Sequence, residues 1–214
     1  MGSDSELAIV CIHGLWMNGM EMGLVRRRLR KNLGVRAVQF CYQAITEGLT
    51  ENTRRLSNFI DQHPAETVHL VGHSLGGVLA LQMLKRFPTE KVGRVVCLGS
   101  PLVDSSAARQ LFRRSWGRSF IGKTFFEAVL EQPLHRCDPD HDVGMITGKL
   151  ALGIGMLAVT LEGPNDGVVT QQETELPGLN DHLMLPVSHF GLLLSPRVAQ
   201  ETAHFLRYGS FGPL

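Results

Sequence analysis

Residues 67–87 read TVHLVGHSLGGVLALQMLKRF, and this stretch decides the fold. The apolar run Val68–Val71 predicts a strand. The segment from Leu75 to Phe87 is apolar almost all round and predicts a buried helix, halted by Pro88, which cannot continue one. Between them Gly72-His73-Ser74-Leu75-Gly76 has the form G-x-S-x-G, with Gly77 following. A pattern with three fixed positions is weak alone and could be an ordinary Gly-rich turn. The strand before it and the helix after it give it the setting in which a serine is held on a sharp, strained turn. Glycines two residues to either side let the strand and the helix approach closely. The serine then sits at a helix N-terminus, whose dipole favours developing negative charge. Ser74 is therefore the candidate nucleophile.

On either side of this stretch, short runs rich in Val, Ile and Leu alternate with helix-period segments. Strands are expected at Leu7–His13, Val35–Tyr42, Thr67–His73, Arg94–Gly99, Asp142–Thr147 and Asp181–Val187. They are apolar at nearly every position, the pattern of strands buried on both faces of a parallel sheet. Pro186 makes the last one an edge strand. Leu49, Thr53, Leu56 and Ile60 share one helical face. Ser195-Pro196 is a helix start, a capping hydroxyl followed by proline at the first position, and the final helix should run to about Arg207. Strands alternating with helices mean an open α/β sheet with right-handed crossovers. Residues 101–141 are longer than a crossover needs and hold two helix-like pieces, Ser106–Arg114 and Lys123–Glu131. Residues 148–163, apolar and Gly-rich, are too short for a membrane span; they read as a buried loop or helix, or as the wall of an acyl pocket. With no repeat, low-complexity segment or linker, residues 1–214 form one domain.

A serine hydroxyl needs a base to become a useful nucleophile. His189 lies just past the last expected strand and before the last helix, hence on a loop at the carboxyl edge of the sheet. His182 starts that strand, at the wrong edge. His63, His69, His135, His141 and His204 fall on helices, strand interiors or the insertion. The acid should lie between nucleophile and base in the chain. Asp166, in the turn-rich Gly163-Pro164-Asn165-Asp166-Gly167, fits; it could also be a simple turn residue. Asp138, Asp140 and Asp142 come before or at the start of the fifth strand. His13-Gly14 ends the first strand, and the loop that follows, Leu15 to Gly19, faces the elbow. Main-chain N–H groups of Leu15 and Leu75 are the candidate oxyanion donors, each worth about 3–4 kcal/mol in a transition state. His13 is expected to shape this loop by hydrogen bonding rather than act as the base.

The chain has 214 residues, 43% hydrophobic and 19% charged, with a formal net charge of +1. That is a globular composition with no global pull toward nucleic acid or acidic membranes. Of the four cysteines, Cys11, Cys41 and Cys97 lie in apolar runs and are expected to be buried free thiols; Cys137 completes the set, and no spacing suggests zinc or a redox pair. The N-terminus shows neither a secretory pattern nor a myristoylation site. The expectation is a cytoplasmic protein, with a mature secreted form left open.

Taken together, the HG loop, the GHSLGG elbow, Val95–Pro101, the NDG-V-V segment and the SHFGLLLSP stretch resemble the small bacterial lipases and esterases of the α/β-hydrolase superfamily. The likeness spans nearly the whole chain apart from 101–141. It implies an α/β-hydrolase fold with about six mainly parallel strands, helices on both faces and a small helical insertion or minimal cap after the fourth strand. It also implies an acyl-ester substrate, small or lipidic, with no cofactor and no metal. Ser74, Asp166 and His189 carry over as the triad, and Leu15 and Leu75 as oxyanion donors. Trp16, Met17, Met20 and Met22 could line an acyl pocket or be core, with His13 beside them. Arg109, Arg113, Arg114, Arg118 and Lys123 form a solvated face or a site for an anionic head group such as that of coenzyme A. The expected activity is carboxylic-ester hydrolysis. A thioesterase or an acyltransferase would use the same groups, and a non-catalytic binding protein of this fold would be expected to have lost one of them.

Overall fold

A computed structural model describes residues 6–113, 121–137, 140–152 and 160–212. Six strands form one sheet: β1 (Leu7–Ile12), β2 (Arg36–Phe40), β3 (Thr67–His73), β4 (Val92–Leu98), β5 (Val143–Gly148) and β6 (Asp181–Leu185). Their order across the sheet is β2-β1-β3-β4-β5-β6, and every neighbouring pair is parallel. β6 is an edge, and Pro186 falls just beyond it, where no ladder hydrogen bond is lost.

The helices are α1 (Gly23–Leu33), α2 (Leu49–Asp61), α3 (Leu75–Arg86), α4 (Ser106–Phe112), α5 (Lys123–Phe125, continued by a π-helical turn, Phe126–Glu131), α6 (Gln171–Thr174), α7 (Gly191–Leu194) and α8 (Pro196–Tyr208). They cover both faces. Along β1, Ala8, Val10 and Ile12 enter one apolar cluster with α2, α3 and the insertion, while Ile9 and Cys11 enter the other with α1, α7 and α8. This period of two with both faces buried is why the strands read as continuous apolar runs. Leu49, Thr53, Leu56 and Ile60 are all buried on α2, and Ser195 caps α8 through Val198 N–H at 3.4 Å with Pro196 in the first turn.

Two expectations need correction. Cys41 is exposed, not buried: β2 ends at Phe40, so the apolar run continues past the sheet into a loop. Cys11, Cys97 and Cys137 are buried free thiols. In 148–163, Leu150 and Leu152 are exposed, so the described flanks are not a buried loop; residues 153–159 lie outside the described residues, as do Arg114, Arg118 and Asp138. The second helix-like piece of 101–141 packs into the core. Thr124, Phe125, Ala128 and Val129 are buried, and Asn52 of α2 donates to Thr124 Oγ1 at 2.8 Å.

The strand order reverses direction between β1 and β3. In an open α/β sheet the crevice at the carboxyl ends of such a switch point is the default place for a ligand. Leu15 lies in the loop after β1, and Ser74 is the residue that joins β3 to α3.

Candidate active site

Ser74 links β3 directly to α3 and has φ 52° and ψ −122°, in the left-handed half of conformational space that a non-glycine residue enters at a cost of about 1–3 kcal/mol. Its N–H donates to Leu98 O at 2.9 Å, and its carbonyl accepts from Gly77 N–H at 3.1 Å. The neighbouring glycines are required by contact. A Cβ on Gly76 would collide with the Ile12 carbonyl oxygen and lie 2.6 Å from His13 O; one on Gly72 would strike Gly77, and one on Gly77 would strike Ser100. The start of α3 thus rides on the end of β1. Leu75 is the first residue of that helix, so its N–H has no acceptor within it.

Across the switch point, the ring of His13 is enclosed and fully occupied. Its Nε2 accepts from Tyr42 N–H at 3.3 Å, so its Nδ1 carries the proton that binds Gly14 O at 2.8 Å. The Tyr42 hydroxyl donates to His13 O at 3.1 Å, and the two rings stack at 4.4 Å. Burial pushes the His13 pKa down, which keeps this neutral tautomer. In a trans peptide the C=O and N–H point opposite ways. Holding the Gly14 carbonyl toward the imidazole therefore turns the Leu15 N–H away from it. Gly14 itself faces the elbow, since a Cβ there would lie 3.2 Å from Ser74 Cβ. Beyond it, Trp16 is 59% exposed with φ 59°, Met17 packs partly against the α1 side of the core, Met20 is 80% exposed and Met22 is core. The four residues do not form one pocket wall.

Asp166 and His189 meet over the ends of β4 and β5. The fully buried carboxylate accepts through Oδ1 from Val168 and Val169 N–H groups, at 3.0 and 2.8 Å. Its Oδ2 lies 2.7 Å from His189 Nδ1, and its main-chain O accepts from His189 N–H at 2.8 Å. A carboxylate only accepts, so Nδ1 carries the proton and Nε2 is left with a lone pair. Gly99, with φ 57°, passes beneath this pair, and a Cβ there would lie 3.1 Å from Asp166 Oδ2 and 3.2 Å from His189 Nδ1. The His189 ring reaches the elbow beside His73, with ring centres 4.7 Å apart. No hydrogen bond joins the Ser74 hydroxyl to His189 among the described residues; in unliganded sites such bonds are often long and tighten with substrate.

The rival groups are engaged elsewhere. His182 Nε2 lies 2.7 Å from Thr147 Oγ1, at the far end of β6 from His189. Asp142 pairs with Arg94 at 3.0 Å. Arg109 pairs with Asp104 at 2.7 Å, which removes one cation from an anionic-ligand site. Sequence reasoning missed His73 and Tyr42 as parts of the site. His73 stood in the motif as a variable position, and Tyr42 lies 29 residues from the histidine it holds, with no local signal. Among the described residues, no group of three or more His, Cys, Asp or Glu is placed to hold a metal, and no helix is long and apolar enough to cross a membrane.

A family model described as "Alpha/beta hydrolase family" matches residues 9–199. Among solved structures, the mature Bacillus licheniformis lipase BlEst2 superimposes with a TM-score of 0.77 at 18% identity, covering 98% of this chain and 94% of that one. A metagenomic carboxyl esterase matches with a TM-score of 0.64 at 17% identity, over 96% of this chain and 76% of its own. The RedJ thioesterase of prodiginine biosynthesis in Streptomyces coelicolor matches with a TM-score of 0.63 at 15% identity, over 95% and 85%. No curated protein matches the sequence. At these identities the likeness is one of fold.

Proposed function

The chain belongs to the alpha/beta hydrolase family, and from that premise we propose that it is a carboxylic-ester hydrolase working through an acyl-enzyme on Ser74. The observation that carries this reading is the buried Asp166–His189 pair at 2.7 Å, whose imidazole packs 4.7 Å from the ring of His73, the residue before the backbone-strained Ser74. In the reaction, His189 Nε2 takes the Ser74 proton as Oγ attacks the acyl carbonyl. The N–H groups of Leu15 and Leu75 receive the oxyanion. His189 then protonates the leaving alkoxide. Water, deprotonated by the same Nε2, releases the acid and regenerates Ser74. Asp166 keeps the ring oriented and stabilises the imidazolium.

Trp16 and Met17, on the oxyanion loop, are the residues proposed to meet the acyl chain; His13 acts through the loop, since both of its ring nitrogens are taken. Residues 101–141 are proposed as an insertion within a single domain. Its fastened second piece supports a fixed wall more than a swinging lid.

The thioesterase reading shares this machinery and is favoured by the RedJ likeness; the Arg109–Asp104 pair counts against an anionic head-group site in the insertion. Turnover of p-nitrophenyl esters against acyl-CoA substrates of equal chain length separates the two. The proposal expects the esters to be preferred, and a strong preference for acyl-CoA would replace it. Release of free acid, rather than transfer to an added alcohol, separates hydrolysis from acyl transfer.

A further inference from the structure

His73 has no part in the reaction above, yet its side chain is fully buried between the two halves of the site. β3 and β6 are separated in the sheet by β4 and β5, so the His189 loop must reach back across two strands to meet Ser74. Three hydrogen bonds fix His189. Its N–H donates to Asp166 O at 2.8 Å, its Nδ1 to Asp166 Oδ2 at 2.7 Å, and its carbonyl accepts from His73 Nε2 at 3.2 Å. The first two tie it to the acid loop. The third ties it to the strand that carries the nucleophile, and the two rings pack at 45°.

A carbonyl cannot donate, so His73 Nε2 carries the proton and Nδ1 is bare. That Nδ1 is buried without a hydrogen-bond partner. An unsatisfied buried acceptor works against stability, so a side chain chosen for packing alone would be apolar. Burial, followed by the like charge of His189, holds the His73 pKa well below the usual histidine range. The ring therefore stays neutral while its neighbour becomes an imidazolium.

We propose that His73 is a positioning residue: its Nε2–H holds the His189 carbonyl and so fixes the base loop at the distance from Ser74 that proton transfer needs. This rests on the reading of His189 as the base.

The test compares His73→Phe, which keeps ring volume without a donor, with His73→Gln, whose terminal amide N–H can take the place of Nε2–H. Each is measured for kcat and KM on a short and a medium nitrophenyl ester. His73→Phe should lose kcat by about tenfold to a hundredfold on both esters, with KM changed by less than about twofold. His73→Gln should recover to within about threefold of the parent. Parent-like kcat in His73→Phe, equal loss in His73→Gln, or a loss confined to KM would overturn the proposal. If His73→Phe does not fold, imidazole ¹⁵N spectra of the unaltered protein decide: a neutral Nε2–H tautomer for His73 is expected, and an Nδ1–H tautomer or a cation at neutral pH would contradict it. Activity surviving in His189→Ala would remove the base reading itself, while the tautomer result still tests the His73–His189 contact.

Discussion

The two oxygens of Asp166 are committed to different tasks. Oδ1 is spent on the Val168 and Val169 N–H groups, which lock the turn, and Oδ2 is left for His189. An amide at this position would put either a donor or an acceptor against Nδ1, and the donor orientation forces the proton to the wrong nitrogen. Asp166→Asn should therefore keep the fold and lose about 10⁴ in kcat; steady-state turnover of a nitrophenyl ester, with circular dichroism on the same sample, checks both parts. The strained turn at Ser74 was legible from the strand before it and the helix after it, and the meeting of Asp166 with His189 from the chain order that the fold leads one to expect. The contacts that tune them were not. His73 and Tyr42 reach their partners across 116 and 29 residues, and no local pattern encodes such pairs. Cys41 misled because composition cannot show that the sheet stops one residue earlier, at Phe40.

Among the elements, α3 and β1 are the most tightly coupled. Gly76 lies against the Ile12 and His13 carbonyls, backbone that cannot step aside. Gly76→Ala should cost about 3 kcal/mol or more, read as a lower urea midpoint, and should slow ester turnover even at temperatures where the variant is folded. α2 depends on the insertion for its cap. Gly48 offers no side chain, and Glu127 reaches over so that its Oε2 accepts from Leu49 N–H at 2.7 Å. A carboxylate there also meets the positive end of the helix dipole. Glu127→Ala should cost about 1–2 kcal/mol in unfolding experiments while leaving the order of preference among ester chain lengths unchanged. Strands were readable at this scale to within about two residues, since burial on both faces leaves an uninterrupted apolar run. α1 was not: among its eleven residues only Val25 and Leu29 are buried, and its run of basic side chains hides the period. The role of 123–131 in the core was equally hidden, because its buried positions lie on a short helix that gives way to a π-helical turn.

Over the whole molecule, two buried histidines should weaken the fold in acid. His69 is pushed down to about 4 from 6.5 by burial and then by Arg94, and it accepts from Arg94 N–H at 2.8 Å. His73 is lowered as well. The unfolded chain protonates both as pH falls through 6.5, whereas in the folded chain His69 resists until about 4. Stability should thus be full above that upper value and decline as pH drops toward the lower one. Urea midpoints at about pH 7.5 and about pH 5 should show the fall, and His69→Asn, which keeps an acceptor for Arg94 N–H, should flatten part of it. One reversal of strand order, between β1 and β3, opens a crevice, and the loops after the later strands bring Asp166 and His189 to its rim.

If Ser74 is an activated nucleophile, covalent labelling will find it. The folded protein is treated with a fluorophosphonate and the adduct mapped by peptide mass spectrometry. One adduct on Ser74 is expected, absent in Ser74→Ala and strongly slowed in His189→Ala. An adduct on another residue, or none on folded protein, would mean that Ser74 is not the nucleophile.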